Sequence, residues 1–90
     1  MFLVEVTIKD RGLAQPHLAG HMEFLKSHNN QKEILLYGAS SDGGLMVVST
    51  DDRRDLERLL QMDPLYTARI CDYRITEFKY GSKQVLVRDY

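Results

Sequence analysis

The stretch from Ile34 to Tyr66, ILLYGASSDGGLMVVSTDDRRDLERLLQMDPLY, restricts the fold of this 90-residue chain more than any other part. It places two apolar runs, Ile34 to Tyr37 and Leu45 to Val48, around Ser41-Asp42-Gly43-Gly44. Glycines in such a turn make positive φ cheap, so the segment reads as a β-hairpin. Thr50 then caps a helix, with Asp51 and Asp52 in its first turn, where the helix dipole favours negative charge. Leu56, Leu59 and Leu60 supply its apolar stripe. Asp63-Pro64 breaks that helix, and a short helical turn follows through Tyr66 or Ala68.

The flanks complete a pattern. Phe2, Val4, Val6 and Ile8 alternate with Leu3, Glu5 and Thr7, the period of a strand. Lys9-Asp10-Arg11-Gly12 ends that strand in a polar loop. From Pro16 to about His28 the period becomes helical, with Ala14, Leu18, Met22 and Leu25 near one line and His21 beside it. Pro16 suits a first helical turn, where its missing N–H costs nothing. Ile70 to Lys79 reads as a fourth strand, and Gln84 to Val87 in the 82–90 tail as a short fifth. The order βαββαβ is that of the ferredoxin-like α+β fold: a four-stranded antiparallel sheet with two helices on one face. The chain reads as one domain, 1–90.

Both apolar runs of the hairpin put hydrophobic side chains on both faces of the sheet. A sheet covered on one side only should alternate between apolar and polar. Two helices cover one face, so the other needs a partner, and a second copy of the same sheet is the simplest. The expectation is a homodimer packed sheet to sheet.

Composition narrows the function classes. Twelve Lys+Arg against thirteen Asp+Glu leave no basic stripe to track phosphates, so nucleic acid is not an expected partner. No apolar run approaches the roughly 20 residues that span a bilayer. The N-terminus, with Glu5 close behind Met1, lacks the pattern of a targeting segment. The single cysteine, Cys71, excludes an internal disulfide and suits a reducing compartment. A cytoplasmic protein without membrane attachment is expected.

Few residues offer chemistry. His17 and His21 lie four apart, close enough to grip zinc, but further ligands are needed. His28 stands about 10 Å along the axis from His21 at 1.5 Å per residue. No HExxH or cysteine pair completes a set, so neither metal nor cofactor is expected. His21 borders the buried stripe, and an imidazole there can act as general acid or base if a carboxylate orients it. Asp63 is the candidate carboxylate, although an Asp before Pro also serves as an ordinary N-cap. Spacing alone does not choose. Ser40-Ser41-Asp42 and the nearby glycines match no nucleophile elbow or phosphate loop. Arg53-Arg54 among Asp51, Asp52 and Asp55 reads as a solvated face. Tyr66, Tyr73, Phe78 and Tyr80 could line a pocket for a ring-bearing ligand or pack as core.

Together, the first strand, His21-Met22-Glu23-Phe24-Leu25, Leu36-Tyr37-Gly38, Asp42 to Val48 and Asp63-Pro64 resemble the YCII-related (YciI-like) family from Phe2 to about Phe78. The resemblance implies a dimeric α+β barrel in which two sheets pack face to face and leave a cleft. It also implies a His–Asp active-site pair, His21 and Asp63. Related barrels carry out proton transfer or oxidation on ring-derived small molecules without a bound metal. They include a dehydrochlorinase and an isomerase. The chain departs from the family pattern at Leu18, where an arginine is frequent, at Ala39 in place of proline, and at Leu65 in place of an aromatic residue.

Two readings of function follow. The first is a small, cofactor-free enzyme in which His21 moves a proton on a cyclic substrate and Asp63 holds its tautomer, as lyase, isomerase or dehydrochlorinase. The second is a non-catalytic homodimer that binds a small molecule or partner in the same cleft.

Overall fold

The computed structural model describes residues 1–79. The expected fifth strand and Tyr80 lie outside that range. Nine elements follow one another: β1 (Phe2–Ile8), α1 (Arg11–Ala14), a 3₁₀ turn (Gln15–His17), α2 (Leu18–Asn30), β2 (Ile34–Ser40), β3 (Gly43–Val48), α3 (Arg53–Leu60), α4 (Pro64–Ala68) and β4 (Cys71–Glu77). The sheet order is β2-β3-β1-β4, and every neighbouring pair is antiparallel. This is the α+β ferredoxin-like arrangement that the βαββαβ order implies.

Register assigns the two faces. Phe2, Val4 and Val6 stand opposite Val48, Met46 and Gly44 on one side of β1, and opposite Glu77, Ile75 and Tyr73 on the other. Directly opposed residues share a face. This face meets Phe24 and Leu25 of α2 and Leu56, Leu59 and Leu60 of α3 in a single buried core. Fully burying a side chain of this size stabilises by roughly 1.5–3 kcal/mol, so these contacts fix the helices on the sheet. The other face carries Leu3, Leu36, Leu45 and Val47, of which Leu36 remains 53% exposed.

A bulge interrupts β2. Ile34 pairs with Val48 and Tyr37 with Met46, with the register shift between Ile34 and Leu36. Strict alternation would send residues three apart to opposite faces. The extra residue instead brings both Ile34 and Tyr37 to the helix-covered side.

Several local expectations change. Arg11 to Ala14 form a helical turn rather than a loop, because the Asp10 carboxylate accepts the Leu13 N–H at its start. Pro16 belongs to the 3₁₀ turn, so α2 begins later than expected. Phe24 and Leu25 are its buried residues, whereas Met22 is 43% exposed because its line faces an open cleft. Asp52, not Thr50, is the N-cap of α3 and accepts the Arg54 N–H. The Thr50 hydroxyl stands just outside, accepting from the Asp52 N–H and donating to Asp55. β4 runs from Cys71 to Glu77, shorter at both ends than expected.

The hairpin glycines also have a different reason. The turn is Ser41-Asp42, and neither Gly43 nor Gly44 has positive φ. They serve close approach: a Cβ on Gly43 would collide with the Val6 carbonyl oxygen, and one on Gly44 would sit 2.6 Å from the Gly38 carbonyl oxygen. A Cβ on Gly38 would meet nothing within 4 Å. Gly44→Ala should therefore cost about 2 kcal/mol through forced backbone displacement, while Gly38→Ala should stay within about 0.5 kcal/mol. Urea unfolding of the two variants checks the contrast.

Candidate functional site

The fold brings His21 and Asp63 together across 42 residues of sequence. His21 lies in the second turn of α2, and Asp63 is the N-cap of α4. The His21 Nδ1–H donates to Asp63 Oδ1 at 2.8 Å, and the Leu65 N–H donates to the same oxygen at 3.0 Å. Cap and orienting carboxylate, alternatives on spacing alone, are thus one group. Asp63 is completely buried, while the His21 side chain retains 14% exposure.

Gly20 makes the approach possible. A Cβ there would stand 2.9 Å from Cγ of Pro64, so α2 and α4 pack with no room for a methyl group between them. The glycine immediately precedes His21, and the proline immediately follows Asp63. The two close contacts are therefore neighbours in sequence on both elements.

A carboxylate at Nδ1 fixes the tautomer with the proton on that nitrogen. Nε2 then carries the lone pair and makes no hydrogen bond within the described residues. The ring borders a cleft of about 340 Å³ between α2 and the hairpin end of the sheet. Its lining includes Ile8, Leu18, Met22, Leu25, Met46 and Leu65. His21 and Tyr37 contribute its only polar side-chain atoms among the described residues, and no Asp, Glu, Lys or Arg lines it.

The remaining candidates lie elsewhere. His28 bonds Glu33 and packs its ring on Phe24, at a centroid distance of 4.8 Å. His17 ends the 3₁₀ turn. The Ser41 and Asp42 carbonyls accept from Arg11 and the Ile8 N–H, so this segment works as a turn. Arg54 and Arg58 pair with Asp52 and Asp55 on the exposed face of α3. Tyr66 and Tyr73 line a second, polar cavity of about 540 Å³ beside Lys9, Glu57 and Arg69. The aromatic residue at the His21 cleft is Tyr37, which simple alternation would have placed on the opposite face.

Burial pushes the Tyr73 phenol well above its ordinary pKa, and the nearby Asp63 charge adds to the effect. The Cys71 thiol is raised in the same way, by burial and then by Asp63. Tyr66 is raised chiefly by donating its hydroxyl to Glu57 at 2.6 Å.

Comparison with known proteins identifies the family. The YCII-related domain matches residues 1–79. The chain belongs to the YCII-related family. A relative, the uncharacterised protein YjpA of Bacillus subtilis (strain 168), is 30% identical over 76 residues, covering 82% of this chain and 89% of YjpA. Among solved structures, the fold matches 5-chloro-2-hydroxyhydroquinone dehydrochlorinase (TftG) from Burkholderia phenoliruptrix AC1100, in complex with 2,5-dihydroxybenzoquinone. The TM-score is 0.72, with 15% identity over 90% of this chain and 95% of that one. The dehydrochlorinase thus shares the fold with this family member. No helix among the described residues is long and apolar enough to cross a membrane.

Because one oxygen serves both cap and histidine, its removal should be felt in stability as well as in the site. Asp63→Ala loses the cap and leaves the Leu65 N–H unpaired, at an expected cost of about 2–4 kcal/mol. Asp63→Asn keeps a cap oxygen and should lose at most about half as much. Denaturant unfolding of both variants measures the difference.

Proposed function

We propose that the chain is a small acid–base enzyme acting on a cyclic, ring-derived molecule in the His21 cleft. The observation that carries this reading is the 2.8 Å bond from His21 Nδ1 to a completely buried Asp63, at the wall of an apolar cleft. His21 and Asp63 are the proposed catalytic pair.

Nε2 takes a proton from a substrate hydroxyl or an acidified carbon. An N–H bond forms, the substrate O–H or C–H bond breaks, and its electron pair stays on the substrate. That pair either shifts a double bond or expels a leaving group such as chloride. Asp63 stabilises the resulting imidazolium without taking its proton. The imidazolium then returns the proton to another substrate atom in an isomerisation, or to solvent in an elimination.

The lining supports an uncharged ring with hydroxyl or carbonyl substituents. Leu18 stands in the cleft, and no Lys or Arg among the described residues offsets a carboxylate there. A buried unpaired charge is costly, so anionic substrates are disfavoured. The dehydrochlorinase of the same fold acts on a chlorinated hydroxyhydroquinone and holds a dihydroxybenzoquinone in its complex. A hydroquinone-type ring, uncharged while its hydroxyls keep their protons, would fit within this cleft. The reading requires no metal or cofactor.

The uncovered sheet face supports self-association. Leu36 and Leu45 are 53% and 38% exposed beside Leu3 and Val47, and a second copy packed sheet to sheet would cover them. The nearly uniform apolar lining also favours a second reading, a dimer that binds its ligand without transforming it.

Two measurements separate these possibilities. His21→Ala should lower turnover of an accepted cyclic substrate by about 100-fold or more; unchanged turnover would remove the enzymatic reading, and a loss of affinity alone would favour the binding protein. Light scattering at micromolar concentration should give twice the chain mass. Leu36→Glu should return it to the monomer value, and a monomeric wild type would dismiss the sheet-to-sheet pair.

A further inference from the structure

Asp63 has a second oxygen, and it is unaccounted for. Oδ2 is buried and makes no hydrogen bond within the described residues. Among the described residues, the Tyr73 hydroxyl is the other buried side-chain polar atom without a partner. A carboxylate oxygen only accepts, and a phenol can donate, so the two deficits are complementary. Buried polar groups are seldom left unpaired, because nothing replaces the water they lost.

The two groups also share a location. Tyr73 stands opposite Val6 on the helix-covered face of the sheet, and Val6 lines the His21 cleft. Burial and then the Asp63 charge disfavour the Tyr73 phenolate. The hydroxyl therefore keeps its proton and remains a donor. Tyr66 braces the ring edge-on at 5.0 Å, and is itself held by Glu57. The titratable groups around the carboxylate are His21 from α2 and Tyr73 and Cys71 from β4.

We infer that Tyr73 is a positioning residue of the site: its hydroxyl donates to Asp63 Oδ2, giving the carboxylate three donors and setting how strongly it supports His21. The Leu65 N–H and the imidazole occupy Oδ1, and the phenol occupies Oδ2. With both oxygens engaged, the carboxylate cannot rotate away from the imidazole. The phenol also draws off part of the negative charge, which keeps the imidazolium from being over-stabilised. Tyr73 also lines the polar cavity beside Lys9 and Arg69.

The catalytic meaning of this role rests on the acid–base reading of His21, but the coupling does not. It is tested without substrate, by following the His21 ring resonances against pH in the wild type and in Tyr73→Phe. Removing the hydroxyl restores full charge to Asp63, so the His21 midpoint should rise by about half a unit or more. A midpoint that stays in place or falls overturns the inference. Should Tyr73→Phe fail to fold, the wild type supplies the second readout. Its Tyr73 hydroxyl proton should appear as a slowly exchanging, downfield resonance, and rapid exchange with solvent would equally overturn the inference. The rate of His21→Ala then reports separately on whether the positioned imidazole does chemistry.

Discussion

The arrangement of this molecule depends on one buried carboxylate oxygen. Asp63 Oδ1 accepts from the Leu65 N–H and from the His21 imidazole, and so belongs to both local and tertiary structure. As a cap it starts α4, whose first residue is Pro64. As a hydrogen-bond acceptor it ties α4 to α2 at the edge of the cleft. A charge this deeply buried is costly unless it is well supplied with donors. The short α4 segment is what places a backbone donor within reach.

The sheet determines what faces that pair. β1 and β3 lie in the centre, and their helix-side residues are Val, Met and Gly toward the hairpin end. Glycine at position 44 lets β2 and β3 lie close, while the bulge in β2 turns Tyr37 inward. The result is an apolar chamber with one histidine and one phenol in its wall. Low polarity around the pair strengthens the electrostatic interaction between the imidazole and the buried carboxylate.

Much of the fold was legible in the residues. Alternation from Phe2 to Ile8, the leucines of α3 and the Asp-Pro step each translate directly into observed elements. Their period or their backbone chemistry is set within a few residues. The pairing of His21 with Asp63 was legible only as one of two alternatives, because a cap and an orienting carboxylate use the same residue type. What escaped was everything set between elements. The bulge at Leu35 has no local marker in a continuous apolar run, so the face of Tyr37 was invisible. The glycines of the hairpin looked like turn residues, because their crowding comes from β1 and β2. Thr50 reads as the cap and Asp52 as a first-turn residue, since both side chains can accept from a backbone N–H and spacing does not separate them. Tyr73 was legible as an aromatic that could line a pocket, but nothing in the sequence set it near Asp63.

The contact between Gly20 and Pro64 gives this scaffold an unusual vulnerability. Neither residue carries a functional group, yet each is joined by one peptide bond to a member of the pair. The two backbones act as the jaws of a vice whose opening is the width of a missing methyl. A chain that acquired alanine at position 20 would keep every polar atom of the site and the whole apolar core. Its jaws would stand wider, and the imidazole and carboxylate would part. The change would leave no trace in an inventory of reactive residues.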